Sequence, residues 1–345
     1  MTDQMYTSAG WVDGARILDD PATFVICLGG RGIGKTFNVL DEILKRRLRW
    51  IYMRRTQSQI DACKLPELNP FKALNTETGS DVVVAPLGKY LAGFYHSQLV
   101  DGCEKPVGES IGIGVALSTF ANIRGVDGSD YDILLFDEFI PERHERNKIR
   151  EEGLAFLNAV ETLSRNRELT GKAPLKCILL SNSNDLNSPI LDALGALKPL
   201  DEMIRQKKTL RRLSGGAISI RRYMDSPISK KKSLTSLYRA ASSTDFAAMS
   251  LNNEFSADNY ENVRSRPLQE FLPLVSIGEI TVYEHKSDAT YYIIEGVKAQ
   301  ERFTLLTNDR KSFKRSYWYL YEALLDRRVS YSTAPVKLAF ESLWR

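Results

Sequence analysis

The sequence predicts an α/β fold, a mostly parallel sheet flanked by helices, followed by a smaller α+β domain. Three observations carry this prediction. Short apolar runs rich in β-formers recur over residues 1–225, stretches with helical periodicity separate them, and a glycine-rich string joins the first run to the first strong helix.

Thr23 to Leu28 reads TFVICL, apolar enough to be buried on both faces of a parallel sheet. Thr36 to Leu48 follows with Phe37, Leu40, Ile43, Leu44 and Leu48 at helical spacing, and its basic last turn suits the helix dipole. WIYMRR from Trp50 reads as the second strand. Between Asp81 and Ser97 two apolar runs flank Leu87 and Gly88, predicting a hairpin inserted into the core, with a further strand over residues 111–117. YDILLFDEF from Tyr131 and LKCILLSNS from Leu175 are buried strands. The helix between them, over residues 152–163, is expected to turn Leu154, Phe156, Leu157, Val160 and Leu163 inward.

From Arg205 to Lys232 the texture changes: ten Lys or Arg stand against one acid, Asp225, which reads as the edge of a domain. The expected division is residues 1–225, a helical linker over 226–256 with its helix at about 231–255, and a small aromatic-rich domain over 257–345. The last of these has strand-like TVYEH and TYYIIEG and closes with the helices SFKRSYWYLYEALLDRR and PVKLAFESLW.

At 345 residues, with 43% hydrophobic and 26% charged, the chain has room for two domains and a sizeable core, which excludes a disordered protein. A net charge of +4 is too mild to name a partner, so the placement of basic residues matters more than their sum. Cys27, Cys63, Cys103 and Cys177 form no C-x-x-C pair, which argues against structural zinc or a disulfide framework. No apolar run reaches signal-peptide or membrane-span length, which predicts a cytosolic protein without membrane contact.

The string GGRGIGKT, comprising Gly29, Gly30, Arg31, Gly32, Ile33, Gly34, Lys35 and Thr36, matches G-x-x-x-x-G-K-[ST] between a buried strand and a helix. Its glycines let backbone N–H groups wrap a phosphate, and the helix N-terminus adds positive partial charge. Lys35 is expected to reach the β and γ phosphates of ATP and the Thr36 hydroxyl to ligate Mg²⁺. Asp137 ends the strand ILLF, where its carboxylate can hold the Mg²⁺ shell. Glu138, next to it, is placed to polarise an attacking water, although a solvated surface acid is the alternative.

Ser181 and Asn182 end the following strand at the same sheet edge and are candidate γ-phosphate sensors, with a Ser or Asx turn equally open. Arg165 and Arg167, in SRNRE, are candidates for an arginine finger reaching a neighbouring subunit's ATP, Arg165 preferred; surface ion pairing is the alternative. Arg54, Arg55 and Arg124 are weaker candidates for the same work. The basic residues Arg211, Arg212, Arg221, Arg222, Lys230, Lys231 and Lys232 suit contacts to a DNA backbone, or simply a solvated face. Asn147 and Lys148 run into Ile149 and Arg150, so no N-K-x-D guanine signature follows the strand that ends in Asp137, which favours ATP.

Taken together, GGRGIGKTF, IYMRR, LLFDEFI, SRNRE, CILLSN and MSLNNEF, in order over about residues 24–256, resemble the DNA packaging ATPases of phi-twenty-nine-like small tailed phages. The resemblance implies a RecA/ASCE-type P-loop sheet and a ring motor, typically a homopentamer, that pumps double-stranded DNA into an empty capsid with ATP. By position it implies that Lys35 and Thr36 bind phosphate and Mg²⁺, Asp137 holds Mg²⁺, Glu138 is the catalytic glutamate and Arg165 acts in trans. It also implies a C-terminal domain of RNase H-like, nuclease-related type that docks on the portal and capsid vertex, sometimes through a structural RNA, within the host cytoplasm. No cluster of acids suited to two metals stands out beyond about residue 256, so a vestigial, non-cleaving domain is expected. The competing readings are a terminase with a live nuclease, a nucleotide-dependent assembly scaffold and a helicase.

Overall fold

Nine strands among the described residues form the sheet around which the first part of the chain is built. They are β1 (Phe24–Gly29), β2 (Trp50–Arg54), β3 (Val82–Pro86), β4 (Ala92–Val100), β5 (Cys103–Ala116), β6 (Ile133–Asp137), β7 (Lys176–Ser181), β8 (Leu210–Leu213) and β9 (Ile218–Tyr223). Their order is β3-β4-β5-β2-β6-β7-β1-β9-β8. The central run from β5 to β9 is parallel, and antiparallel partners close both edges. The computed structural model describes residues 5–123, 125, 127–141, 149–182, 186, 188–241, 244, 250–251 and 260–344.

The central strands are buried on both faces, as continuous apolar runs such as FVICLG and ILLFD require. Helix Lys35–Lys45 lays Val39, Leu40 and Ile43 into a core shared with Val25, Cys27, Tyr52 and Leu135. It stops at Lys45, before the expected Leu48, because Arg47 takes a positive φ of 53° and turns the chain into β2. Helix Glu152–Ser164 buries Phe156, Ala159 and Leu163, but Leu154, expected inward, is 54% exposed.

The expected hairpin is present in β3 and β4, and the structure carries it further. β4 runs on to Val100 and turns through Asp101 and Gly102, both at positive φ (53° and 77°), into β5, which begins at Cys103 instead of near residue 111. Two central residues at positive φ are what a tight hairpin demands, and Asp-Gly supplies them. The outer half of this ribbon is exposed, Leu99 and Cys103 included.

The basic stretch 205–232 does not mark the edge of a domain. It contributes β8 and β9, and β9 lies directly beside β1 with every residue buried. The chain divides into two units, Met1–Glu254 and Phe255–Arg345. Helices Pro227–Lys232 and Ser236–Ala240, within the stretch expected to be a linker, fall in the first. Most of residues 242–259, with much of the expected helix and of MSLNNEF, lies outside the described residues.

The second unit holds a five-stranded mixed sheet, β10 (Phe271–Ile277), β11 (Ile280–His285), β12 (Tyr291–Glu295), β13 (Arg302–Phe303) and β14 (Val329–Tyr331), in the order β13-β10-β11-β12-β14. β10, β11 and β12 form an antiparallel meander, and β13 and β14 join its two edges in parallel. The stretch expected as one helix from Ser312 breaks at Tyr317 into helices Thr307–Ser316 and Tyr319–Leu325, and helix Ala334–Leu343 follows. Phe313, Leu320 and Phe340 from these helices pack on Val275, Val282 and Ile293 of the sheet.

Candidate active site

The register of the parallel strands brings the sequence-predicted residues to one sheet edge. Leu28 pairs with Ser181 and Asp137 with Leu180, so Gly29, Asp137 and Ser181 end their strands almost in step. Ligands of open α/β sheets bind at this carboxyl edge. An open cavity of about 340 Å³ lies here, lined by Arg31, Gly32, Gly34, Lys35, Thr36, Phe37, Asp137, Glu138, Ser181 and Asn182.

The loop takes its shape from its glycines. Gly32 and Gly34 adopt φ of +65° and +88°, and a Cβ on Gly34 would sit 2.6 Å from Asn38 Nδ2. Lys35 opens the helix, only 8% exposed, and its ammonium donates to the carbonyls of Gly29 (2.8 Å) and Gly30 (2.7 Å) and to Asn182 Oδ1 (3.2 Å). Burial lowers its pKa to about 8, against the pull of Asp137 and Glu138.

Thr36 Oγ1 donates to Asp137 Oδ1 at 3.0 Å, while Tyr52 OH donates to Asp137 Oδ2 at 2.9 Å. Burial, and then the Asp137 charge, push the Tyr52 phenol well above its ordinary pKa, so it remains a donor. Arg54 bridges both carboxylates, donating to Asp137 Oδ2 at 3.3 Å and pairing with Glu138 Oε2. Burial disfavours the Arg54 charge, but Tyr52, Asp137 and Glu138 outweigh it and raise its pKa. Glu138 sits at φ +55°, an uncommon value outside glycine, and its side chain is 53% exposed.

These residues fit a nucleotide with a divalent cation. The glycine-rich turn and helix start offer N–H groups to phosphates beside a buried ammonium. The hydroxyl and carboxylate oxygens of Thr36 and Asp137, 3.0 Å apart, form the hard oxygen set that Mg²⁺ prefers. Among the described residues, no group of three or more His, Cys, Asp or Glu side chains converges as a metal site elsewhere.

The candidate arginines part ways. Arg165, exposed at φ +39° after helix Glu152–Ser164, donates to the Gly125 carbonyl at 3.2 Å and does not line its own chain's cavity. Arg167 is 6% exposed and is held by the Tyr131 carbonyl at 2.6 Å, so it is a packing residue and not a surface finger. Arg55, 1% exposed, is locked bidentate on Glu152 at 2.6 and 2.9 Å. Arg124 lies outside the described residues.

The DNA-contact set is corrected for two members. Arg221 and Arg222 are 4% and 3% exposed in β9; Arg221 is bound to the buried Asp20, and Arg222 donates to the carbonyls of Met203 and Lys208. Neither can face a phosphate backbone. Arg211 pairs with Glu202 and Arg212 with Asp20, while Lys230 and Lys231 are exposed. Lys232 turns to the phosphate loop, donating to the Arg31 carbonyl.

The sequence offers Arg54 only as a weaker candidate for a finger acting across subunits, and Tyr52 carries no motif of its own. The available signal was alternation: Tyr52 and Arg54 share one face of β2, beside the strand that ends in Asp137.

Comparison with known proteins agrees with this architecture. The chain is 25% identical over 243 residues to the DNA packaging proteins of Bacillus phages PZA and phi29, a match covering 69% of the chain and 64% of each relative. It thus spans about 64% of the length of these curated relatives. The fold is shared with a chain of the bacteriophage Phi-29 viral genome packaging motor assembly, at a TM-score of 0.66 and 18% identity, over 97% of this chain and 98% of that one. With residues 8–311 matching its family model, the chain belongs to the family of the Podovirus DNA encapsidation protein (Gp16).

Proposed function

We propose that the chain is the ATP-hydrolysing subunit of a ring, in the resembling family a pentamer, that drives double-stranded DNA into a preformed phage capsid in the host cytoplasm. The observation that carries this is the joining of phosphate loop, Thr36–Asp137 bond and Glu138 at one edge of a parallel sheet. Membership of a DNA encapsidation family and likeness to proteins named for DNA packaging support the cargo.

Within this reading, the loop amides and Lys35 hold the phosphates of ATP. Thr36 and Asp137 hold Mg²⁺, which when bound neutralises charge on the transferring phosphoryl group. Glu138 accepts the proton of the attacking water, and Arg54 positions its carboxylate. Ser181 and Asn182, which line the same cavity, sense the terminal phosphate. Arg165, exposed and outside its own cavity, serves the neighbouring subunit's site. Lys230 and Lys231 remain for backbone contact with DNA, Arg211 and Arg212 being tied to acids. Docking on the portal vertex, directly or through RNA, falls to the second unit, read as a vestigial nuclease-like domain.

The test is steady-state ATP hydrolysis with and without double-stranded DNA across protein concentration. DNA stimulation together with a per-subunit rate that rises with concentration is expected. Turnover indifferent to both would overturn the shared-site motor.

A further inference from the structure

After β9 the chain leaves the sheet and returns to the phosphate loop at two points. Ser226 caps helix Pro227–Lys232, and Lys232, its last residue, donates Nζ to the Arg31 carbonyl. Further on, the Ser250 carbonyl accepts the Arg31 amide at 3.1 Å and lies 2.4 Å from where a Cβ on Gly30 would be. One loop residue is therefore gripped at both its N–H and its C=O by the segment that follows the sheet.

The Lys232 ammonium also lies 5.0 Å from the centroid of the Tyr238 ring and 2.9 Å from the place of a Cβ on Gly32. Among the described residues it has no carboxylate partner. Its charge lies near enough to Lys35 to add, after burial, to the lowering of that residue's pKa. Two ammonium groups thus flank one loop built to wrap an anion. A carbonyl and an aromatic face stabilise an ammonium less than a phosphate oxygen does, because charge-assisted bonds are the stronger.

We propose that Lys232 is a further phosphate ligand of this site, supplied by the segment after the sheet, and that it favours a nucleoside triphosphate over a diphosphate. The inference rests on the nucleotide-site reading above. Lys35 serves the β and γ phosphates from beneath the loop. A second cation against Arg31 and Gly32 adds its charge at the terminal phosphate, which a diphosphate lacks. The same contact ties occupancy of the loop to the chain that leads out of the sheet.

The test is calorimetric titration of the full chain with Mg-ADP and with a non-hydrolysable Mg-ATP analogue, for wild type, Lys232→Met and Lys232→Arg. Methionine keeps an unbranched apolar side chain of similar length while removing the ammonium, and with it both the charge and the bond to the Arg31 carbonyl. The expected result for Lys232→Met is a loss of roughly ten- to a hundredfold in analogue affinity, the range of one bond to a charged group. ADP affinity should stay within about twofold, and Lys232→Arg should recover most of the loss. An equal loss for both nucleotides, or no loss, would overturn the proposal. Failure of the folded wild type to bind either nucleotide would overturn the nucleotide-site reading and this inference with it.

Discussion

Asp20→Asn should destabilise the first unit far more than an ordinary surface change. Asp20 is 2% exposed and accepts from Arg221 Nε and NH2 (2.9 and 2.5 Å), Arg212 (2.8 Å), Ser219 Oγ (2.9 Å) and the Ala22 amide (3.0 Å). Asparagine keeps the shape, removes the charge and turns an N–H₂ group toward donors, leaving the Arg221 guanidinium, 4% exposed, without its anion. Breaking a buried pair from one side costs about 3–5 kcal/mol. With a urea slope of about 2–3 kcal/mol per molar, the unfolding midpoint should fall by about 1–2.5 M. Circular dichroism through a urea series at pH 7 reads this directly. The double variant Asp20→Asn, Arg221→Met should recover part of the loss, since it strands no charge.

The acid side gives a second reading of the same group. Burial pushes the Asp20 carboxyl up, but the Ala22 amide, Arg221, Arg212 and Ser219 outweigh it and bring its pKa down to about 2. An unfolded Asp titrates near ~3.9, so this stabilisation is complete above about pH 4 and is lost as pH falls toward 2. Asp20→Asn should flatten the stability profile in that window. A midpoint shift under about 0.3 M at pH 7, or an unchanged acid limb, would refute the reasoning and reopen Arg221 as a DNA contact.

Glu138→Gln should bind ATP and stop turning it over, as read by coupled hydrolysis and nucleotide titration; retained turnover would take Glu138 out of the chemistry. If Arg165 serves the neighbouring site of the proposed ring, Arg165→Ala should leave ATP binding intact while turnover drops by about 10³ to 10⁵; near-normal turnover would remove it from that role. Lys35, lowered to about 8, is charged at pH 7 and largely neutral at pH 9. Phosphate favours the charged form, so titrations in buffers of different ionisation heat should show proton uptake on ATP binding at pH 9 and almost none at pH 7, with affinity falling as pH rises past 8. Lys230→Ala with Lys231→Ala should reduce the slope of log affinity against log salt for duplex DNA by about 2; an unchanged slope points to another surface.

The core of the fold and site could be read in the sequence because strong, local signals coincide there. TFVICL, the helix after it, WIYMR, ILLFD and KCILLS are apolar runs with one interpretation, and the phosphate loop fixes their direction. β9 has no local signature because Arg221 and Arg222 look solvated until Asp20, some 200 residues away, is placed beside Arg221 and the Met203 and Lys208 carbonyls beside Arg222. The Arg54 bridge escaped for a similar reason, since strand order decides that β2 neighbours β6. The early start of β5 has a readable mark in Asp101-Gly102, but the flanking residues lack the clean alternation that would make it a hairpin signal. The hold of Lys232 and Ser250 on Arg31 links positions 201 and 219 residues apart and has no local signature.

The long β4–β5 ribbon has a practical consequence. Three of the four thiols, Cys27, Cys63 and Cys177, are buried, and Cys103 alone is exposed, at the outer turn of that ribbon. Burial raises all three interior thiols, Cys27 and Cys177 to about 12, so they are protonated at neutral pH as well as shielded. A maleimide fluorophore should therefore attach to the unaltered chain at a single known place. Photobleaching steps of such molecules would count the copies in any assembly the chain forms, and energy transfer between neighbouring ribbons would follow the spacing of those copies in the presence of ATP.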